Sequence, residues 1–358
     1  MQRHIMKPSS TSYFTRIILT LALTGALVLH AAAAETKKLL VITQSKGFRH
    51  DPVKRGTNGE LCLVEKTMAK IGKDSGLFET VNSQNAIEVL TRENLKKFDA
   101  IFFYTTGILL PDGDPREALM DFVKQGKAFI GIHSATDTFH GGKDAFNGYV
   151  QMINGSFNGH PWNAGLTSAF VKLDTDHPVA KMFPAEFNWK DEIYQYSNYD
   201  PASVRVIYAL DMSKSSLKMP YLVPVCWVRE FGQGRLFYTN LGHNEATWKN
   251  ETFQQHLIAG FRWAAKLDDG TTTPNPDAQK AEHNKSVVAY AAAETKKEFA
   301  PLMAKAGNAK WLEGVSAAAD AYRKAPSPDS KKAKPEEVEA AKAKRVELKE
   351  KLSAALEQ

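Results

Sequence analysis

Ala128-Phe-Ile-Gly-Ile-His-Ser-Ala-Thr-Asp-Thr138 decides how the rest of the chain is read. Its first five residues are apolar without alternation, as in a strand buried on both faces of a helix-covered parallel sheet. The strand then runs directly into His133 and Ser134, inside the small-residue frame Gly131-Ile-His-Ser-Ala135. That frame compares with the nucleophile elbow, a tight strand-to-helix turn that exposes its middle residue beside helix-terminal N–H groups. A histidine in that place cannot run ordinary acyl transfer, but it can act as general base or metal ligand. The plainer reading is that His133 closes the turn and Ser134 caps a helix.

Upstream, Leu39–Ile42, Phe78–Val81 and Asp99–Tyr104 read as further strands. Between them lie amphipathic stretches at 60–71 and 91–97. Asp114-Pro115 starts a helix that Gly126 ends, and another helix covers about 144–152. Beyond it, Ala169–Leu173, Val204–Asp211, Val223–Glu230 and Arg235–Asn240 read as strands, the last two joined by the turn Phe231-Gly-Gln-Gly234. A helix from Glu251 to about Lys266 closes this α/β domain, set at 35–268. The expected class is α/β: a mostly parallel sheet flanked by helices, with a C-terminal helical appendage. A turn-rich linker is set at 269–285 and an Ala/Lys-rich helical tail at 286–358, with helices at 287–305, 309–324 and 335–357. The tail reads as weak in core, and its last segment as either a solvated helix or partly disordered.

The 358 residues are 43% hydrophobic and 24% charged, which excludes a collagen-like, wholly disordered or multi-span membrane protein. The net charge of +6 is carried at the two ends. Residues 1–34 hold Arg3, Lys7 and Arg16 and no acid; 271–358 hold 16 basic against 13 acidic residues; 35–270 hold 27 of each. A neutral central domain gives no footprint for nucleic acid. The N-terminus, basic and then apolar from Ile17 to Leu29 and then Ala31–Ala34, reads as a signal peptide over 1–34. It implies an exported, periplasmic or extracellular protein without a membrane span after cleavage; an uncleaved anchor is the competing reading. Cys62 and Cys226 read as two buried thiols or as one disulfide, and two cysteines make no framework.

In an open α/β sheet, ligands bind beyond the carboxyl ends of the strands. The loops there hold His50, His133, His160, Asp191, Glu192, Tyr194 and His243. His133, Glu192 and Asp191 are the catalytic candidates. His50, His160, Trp162, Tyr194, Trp227 and His243 are the substrate-binding candidates, since a small-molecule site combines apolar aromatic faces with a few placed polar groups. For Trp162, Trp189, Tyr194 and Trp227, core packing is the competing reading. His133, His160, His243 and Glu192 also supply donors for a divalent metal, without the tight spacing of a recognised motif. His177 before Pro178 reads as shaping a turn, and Arg235 as binding a substrate oxygen or pairing with an acid such as Asp191.

Taken together, these stretches resemble the ThuA-like (trehalose utilisation) family. The residues that carry the resemblance are Gly131–Thr138, Gly155-Ser-Phe-Asn-Gly-His-Pro-Trp162, His177-Pro178, Asp191-Glu-Ile-Tyr194, Pro224-Val-Cys-Trp227, Gly232–Thr239 and Leu241-Gly-His243. The resemblance implies a fold similar to class I glutamine amidotransferases, with flavodoxin-like layering, in which His133 stands at the elbow in place of the cysteine nucleophile. It further implies carbohydrate utilisation, with disaccharides or their keto derivatives as substrates. Two function classes follow: a sugar isomerase, lyase or hydrolase that works through the His/Glu residues, or a non-catalytic carbohydrate-binding or scaffold module with a protein partner at its tail. Glutamine amidotransfer is set aside, because fold without its nucleophile carries no such function.

Overall fold

The computed structural model describes residues 36–327 and 334–358, so the expected signal peptide at 1–34 lies outside the described residues. The strands are β1 (Lys37–Ile42), β2 (Phe78–Ser83), β3 (Ala100–Phe103), β4 (Ala128–Ile132), β5 (Ser156–Phe157), β6 (Thr167–Lys172), β7 (Glu186–Lys190), β8 (Tyr196–Ser197), β9 (Arg205–Leu210), β10 (Pro224–Phe231) and β11 (Gly234–Thr239). The helices are α1 (Leu63–Ser75), α2 (Ala86–Val89), α3 (Arg92–Leu95), α4 (Asp114–Lys124), α5 (Asn147–Ile153), α6 (Glu245–Lys249), α7 (Glu251–Ala264), α8 (Pro276–Thr295), α9 (Phe299–Ala304), α10 (Ala309–Arg323) and α11 (Pro335–Glu357).

Nine strands form one sheet in the order β2-β1-β3-β4-β11-β10-β9-β6-β7, while β5 and β8 pair separately. From β2 to β11 the neighbours are parallel; from β11 to β7 they are antiparallel. The apolar runs explain the parallel half. In β1, Leu39 and Val41 join the core on one face, with Met68 and Ile71 of α1 and Leu257 and Phe261 of α7; Leu40 and Ile42 join the core on the other, with Leu119 of α4 and Tyr149 of α5. A strand whose successive side chains point to opposite faces must be apolar throughout when both faces are covered. Gly260 brings α7 close to β11, where a Cβ would overlap the Phe237 ring. The mostly parallel, helix-flanked α/β sheet expected from the sequence is the observed architecture.

Three strands were not expected. Alternate residues of β7 are half-buried and exposed, as befits the sheet edge, and β5 and β8 have two residues each. The helical end also departs from expectation. Helix α8 starts at Pro276, so the linker set at 269–285 ends at Asn275. The chain breaks again between α8 and α9, at Lys296 in the left-handed conformation (φ 57°). The tail has a core: Val288, Trp311, Val315 and Ala319 pack with Leu352 and Leu356 of α11, so its last segment is neither merely solvated nor disordered. It is also fastened to the sheet domain. The Gln279 amide donates to the carbonyls of Pro201 and Val204 at 3.0 and 3.1 Å, and Lys285 Nζ lies 2.9 Å from Asp211.

Cys62 and Cys226 are free and buried, so the disulfide reading is excluded. Arg235 does not pair with Asp191: its guanidinium donates to the carbonyls of Trp263 and Asp268 and lies over the Trp263 ring. His177 shapes a turn, with Nδ1 accepting from the Val179 N–H. No helix among the described residues is long and apolar enough to cross a membrane.

His256 on α7 is fully buried between the Tyr208 hydroxyl (3.0 Å) and the Val179 carbonyl (3.0 Å). Burial pushes its pKa down to about 3. The unfolded chain therefore binds the proton first, and the stability this residue contributes above pH 6.5 is lost as pH falls. Between pH 6.5 and 5 the wild type is expected to lose about 2 kcal/mol more than His256→Gln. Urea titrations at the two pH values check this; parallel losses would show that His256 is not held neutral.

Candidate functional site

The parallel pairing of β4 with β11 builds the site. Its register sets Ile132 beside Thr239, so the next residues, His133 and Asn240, leave the sheet side by side. His133 is fully buried with φ 45°, the left-handed conformation expected of an elbow residue. Its neighbours must be small: a Cβ on Gly131 would meet Ala135, Ile153 and Tyr238, each at 3.2 Å. Ser134 does not cap the turn, since its hydroxyl is buried without a partner.

The His133 Nδ1 lies 2.7 Å from the Asn240 carbonyl. A carbonyl can only accept, so Nδ1 carries the hydrogen and a neutral ring presents the Nε2 lone pair. Nε2 lies 3.2 Å from His243 Nδ1 and 3.5 Å from Glu192 Oε2; His243 Nδ1 lies 3.0 Å from the same Glu192 oxygen. The other Glu192 oxygen faces His160 Nδ1 at 3.2 Å. The His50 ring, in the loop after β1, lies 4.9 and 5.1 Å from those of His133 and His243, centre to centre. One ligand atom from each of His50, His133, Glu192 and His243 lies within 4.8 Å of the others. Tyr194 closes the group, its ring 4.3 Å from that of His133 and its hydroxyl 3.3 Å from His50 Nε2.

Charges separate within this cluster. Burial disfavours the Glu192 carboxylate, but the facing imidazoles of His133 and His243 outweigh it and hold the acid well below its ordinary range. Burial also opposes the His243 charge, yet Glu192 prevails and raises its pKa. Burial, reinforced by the neighbouring histidines, pushes His50 down to about 2. The shifts of Glu192, His243 and His50 thus run in opposite directions within one cluster, the pushed-apart pattern from which proton transfer works.

Asp191 has a different role from that expected. Fully buried, it accepts from Gly242 N (2.7 Å), Asn244 N (2.9 Å), the Thr247 hydroxyl (2.8 Å) and Glu192 N (3.0 Å). Burial raises its pKa against the pull of His133 and these donors. Four donors aimed at both oxygens fit the ionised form, and a carboxylate so engaged has no capacity for a substrate. It is a positioning residue for Glu192 and His243. Tyr104 and Trp248 secure the same loop through the Gly242 carbonyl, at 3.0 and 2.8 Å.

The expected substrate roles of Trp162 and Trp227 are not met. Both indoles lie in the core with their N–H groups given to the carbonyls of Leu217 and Ile153. Trp189 likewise donates to the Thr247 hydroxyl. Two aromatics that sequence reasoning passed over stand at the site instead. Phe48 is 67% exposed with its ring 4.8 Å from that of His50, and Phe157 stacks on His160 at 5.9 Å. Their only sequence signal was membership in the loops after β1 and around His160.

Residues 38–264 match the family model described as ThuA, trehalose utilisation. The chain belongs to the ThuA family. That membership gives it a carbohydrate-related role. Among solved structures it is similar to a ThuA-like protein of Bacteroides uniformis, with 19% identity, a TM-score of 0.52, and coverage of 68% of this chain and 98% of that one. It is also similar to a ThuA-like protein of Parabacteroides merdae, with 17% identity, a TM-score of 0.49, and coverage of 68% and 99%. At such identities the first likeness shows the ThuA fold and nothing of the chemistry. No curated protein matches the chain.

Replacing Asp191 by Asn turns one acceptor into a donor facing donors. The variant is expected to lose about 2–4 kcal/mol of stability, read from urea unfolding. An unchanged midpoint would show that the carboxylate does not hold the loop.

Proposed function

We propose that this ThuA-family protein is an exported enzyme that acts on disaccharides or their keto derivatives, with the His/Glu cluster as its working site. The observation that carries the reading is the partly buried Glu192–His243 pair, flanked by His133 and His50 and rimmed by Phe48 and Phe157. Isomerisation, elimination and hydrolysis of an oxidised sugar all need proton transfer next to a carbonyl. The imidazole and carboxylate groups of the cluster are the sites that hold the reacting centre, and His160, half-exposed on the second Glu192 oxygen, is placed to meet a hydroxyl. The exposed Phe48 face suits the C–H surface of a sugar ring. Export rests on the basic, apolar and alanine-rich order of 1–34.

NMR of the protein incubated with disaccharides and their 3-keto derivatives tests the reading. New product signals that His133→Ala abolishes, in a folded variant, are expected. Line broadening without product would establish the carbohydrate-binding module instead, and no response would exclude this substrate class.

Phe48→Ala removes an exposed ring and leaves the core untouched. It is expected to raise KM about tenfold, roughly 1–2 kcal/mol of binding, with kcat little changed. An unaltered KM would take Phe48 out of the site.

A further inference from the structure

We propose that His50, His133, His243 and Glu192 form a binding site for one divalent transition-metal ion of the zinc class. The inference rests on reading this pocket as the working site, and it adds a cofactor to that reading.

The first ground is geometric. His133 Nε2, His243 Nδ1 and Glu192 Oε2 form a triangle with edges of 3.2, 3.5 and 3.0 Å. Tetrahedral ligands at 2.0–2.1 Å from zinc stand about 3.3 Å from one another, by the geometry of such sites. The triangle has those dimensions, and His50 brings the fourth ligand atom within 4.8 Å of the other three.

The second ground is the hydrogen bonding around the cluster. Metal-bound histidines give their other N–H to a carbonyl or carboxylate, which fixes the tautomer and aims the free nitrogen. His133 does so through Nδ1 to the Asn240 carbonyl, in a place fixed by the β4–β11 register. Glu192 meets the cluster with Oε2 while Oε1 is held by His160. His160, an expected metal ligand, thus stands outside the donor set as a positioning residue, and His50, an expected substrate contact, stands inside it.

The third ground is an unanswered polar atom. His50 is 3% exposed, and its Nδ1 is buried with no partner among the described residues. Buried polar nitrogens are rarely left so. A ligand in the cluster accounts for a histidine placed there.

Three imidazoles and one carboxylate suit a borderline ion such as Zn²⁺ and not Ca²⁺ or Mg²⁺, which take oxygen shells. Such an ion, by admitting a fifth ligand, would supply Lewis-acid polarisation of a carbonyl or hydroxyl oxygen.

The test uses purified full-length protein, stripped with a chelator, loaded with Zn²⁺, desalted and measured by mass spectrometry of the metal. One equivalent is expected in the wild type and in His160→Ala, the latter with about 10–100-fold weaker affinity in competition titrations. His243→Ala and Glu192→Gln are expected to retain none, with folding checked by circular dichroism. If either is unfolded, Co²⁺ in the wild type gives a second reading: visible bands of a four-coordinate site that Zn²⁺ displaces. A wild type without stoichiometric zinc, zinc retained undiminished in folded His243→Ala, or Co²⁺ spectra of a hexa-aqua ion would overturn the proposal. The readout is bound metal, so it separates the two inferences. Zinc without sugar conversion overturns the enzyme reading alone, and sugar conversion without zinc overturns the metal site alone.

Discussion

The pairing of β4 with β11 is the constraint on which the rest of the site depends. Both strands are central, apolar and parallel, so they leave the sheet at one height, and the turn that follows each is forced into the same small space. His133 can occupy that space only with a left-handed backbone and small residues two positions to either side. Such strain persists where the surroundings over-determine it. Here the Tyr238 hydroxyl donates to the His133 carbonyl at 2.7 Å, while His133 Nδ1 is fixed by the Asn240 carbonyl. The sheet therefore sets the orientation of the ring as well as its position.

The antiparallel half of the sheet serves the same point from the other side. β7 is the edge strand, yet the residues just after it, Asp191 and Glu192, reach the end of the central strands. Asp191 makes this connection, tying the chain after β7 to the loop after β11 through buried hydrogen bonds. Charged groups in an interior are stable only when donors surround them. The site is thus a closure between two segments that are distant in the sheet and meet over one carboxylate.

Much of this was legible in the sequence, for identifiable reasons. β4 was legible to the residue, because a strand apolar on both faces has no other reading when glycines and charged helices flank it. β7 was not, because a half-exposed edge strand of alternating Glu, Phe, Asn, Trp and Lys carries too little apolar signal. The histidines of the site were legible as loop residues beyond strand ends, but their division into an inner set and an outer His160 depends on tertiary distances. Trp162 and Trp227 were misleading: an indole suits a sugar and a core equally well, and only burial decides. The buried face of α11 was hidden by its lysines and glutamates, which conceal Leu352 and Leu356 within a largely charged surface. Asp191 could be seen, though not that its oxygens are fully occupied by three backbone N–H groups and the Thr247 hydroxyl.

The loop that Asp191, Tyr104 and Trp248 hold has one more consequence. Each backbone group that anchors it is already paired, so the arriving ligand need not order it, and the entropy of fixing the loop is lost once, during folding. Binding at such a preorganised centre is opposed mainly by the immobilisation of the ligand itself. Association can then approach the encounter rate, and selectivity resides in how long a fitting molecule stays.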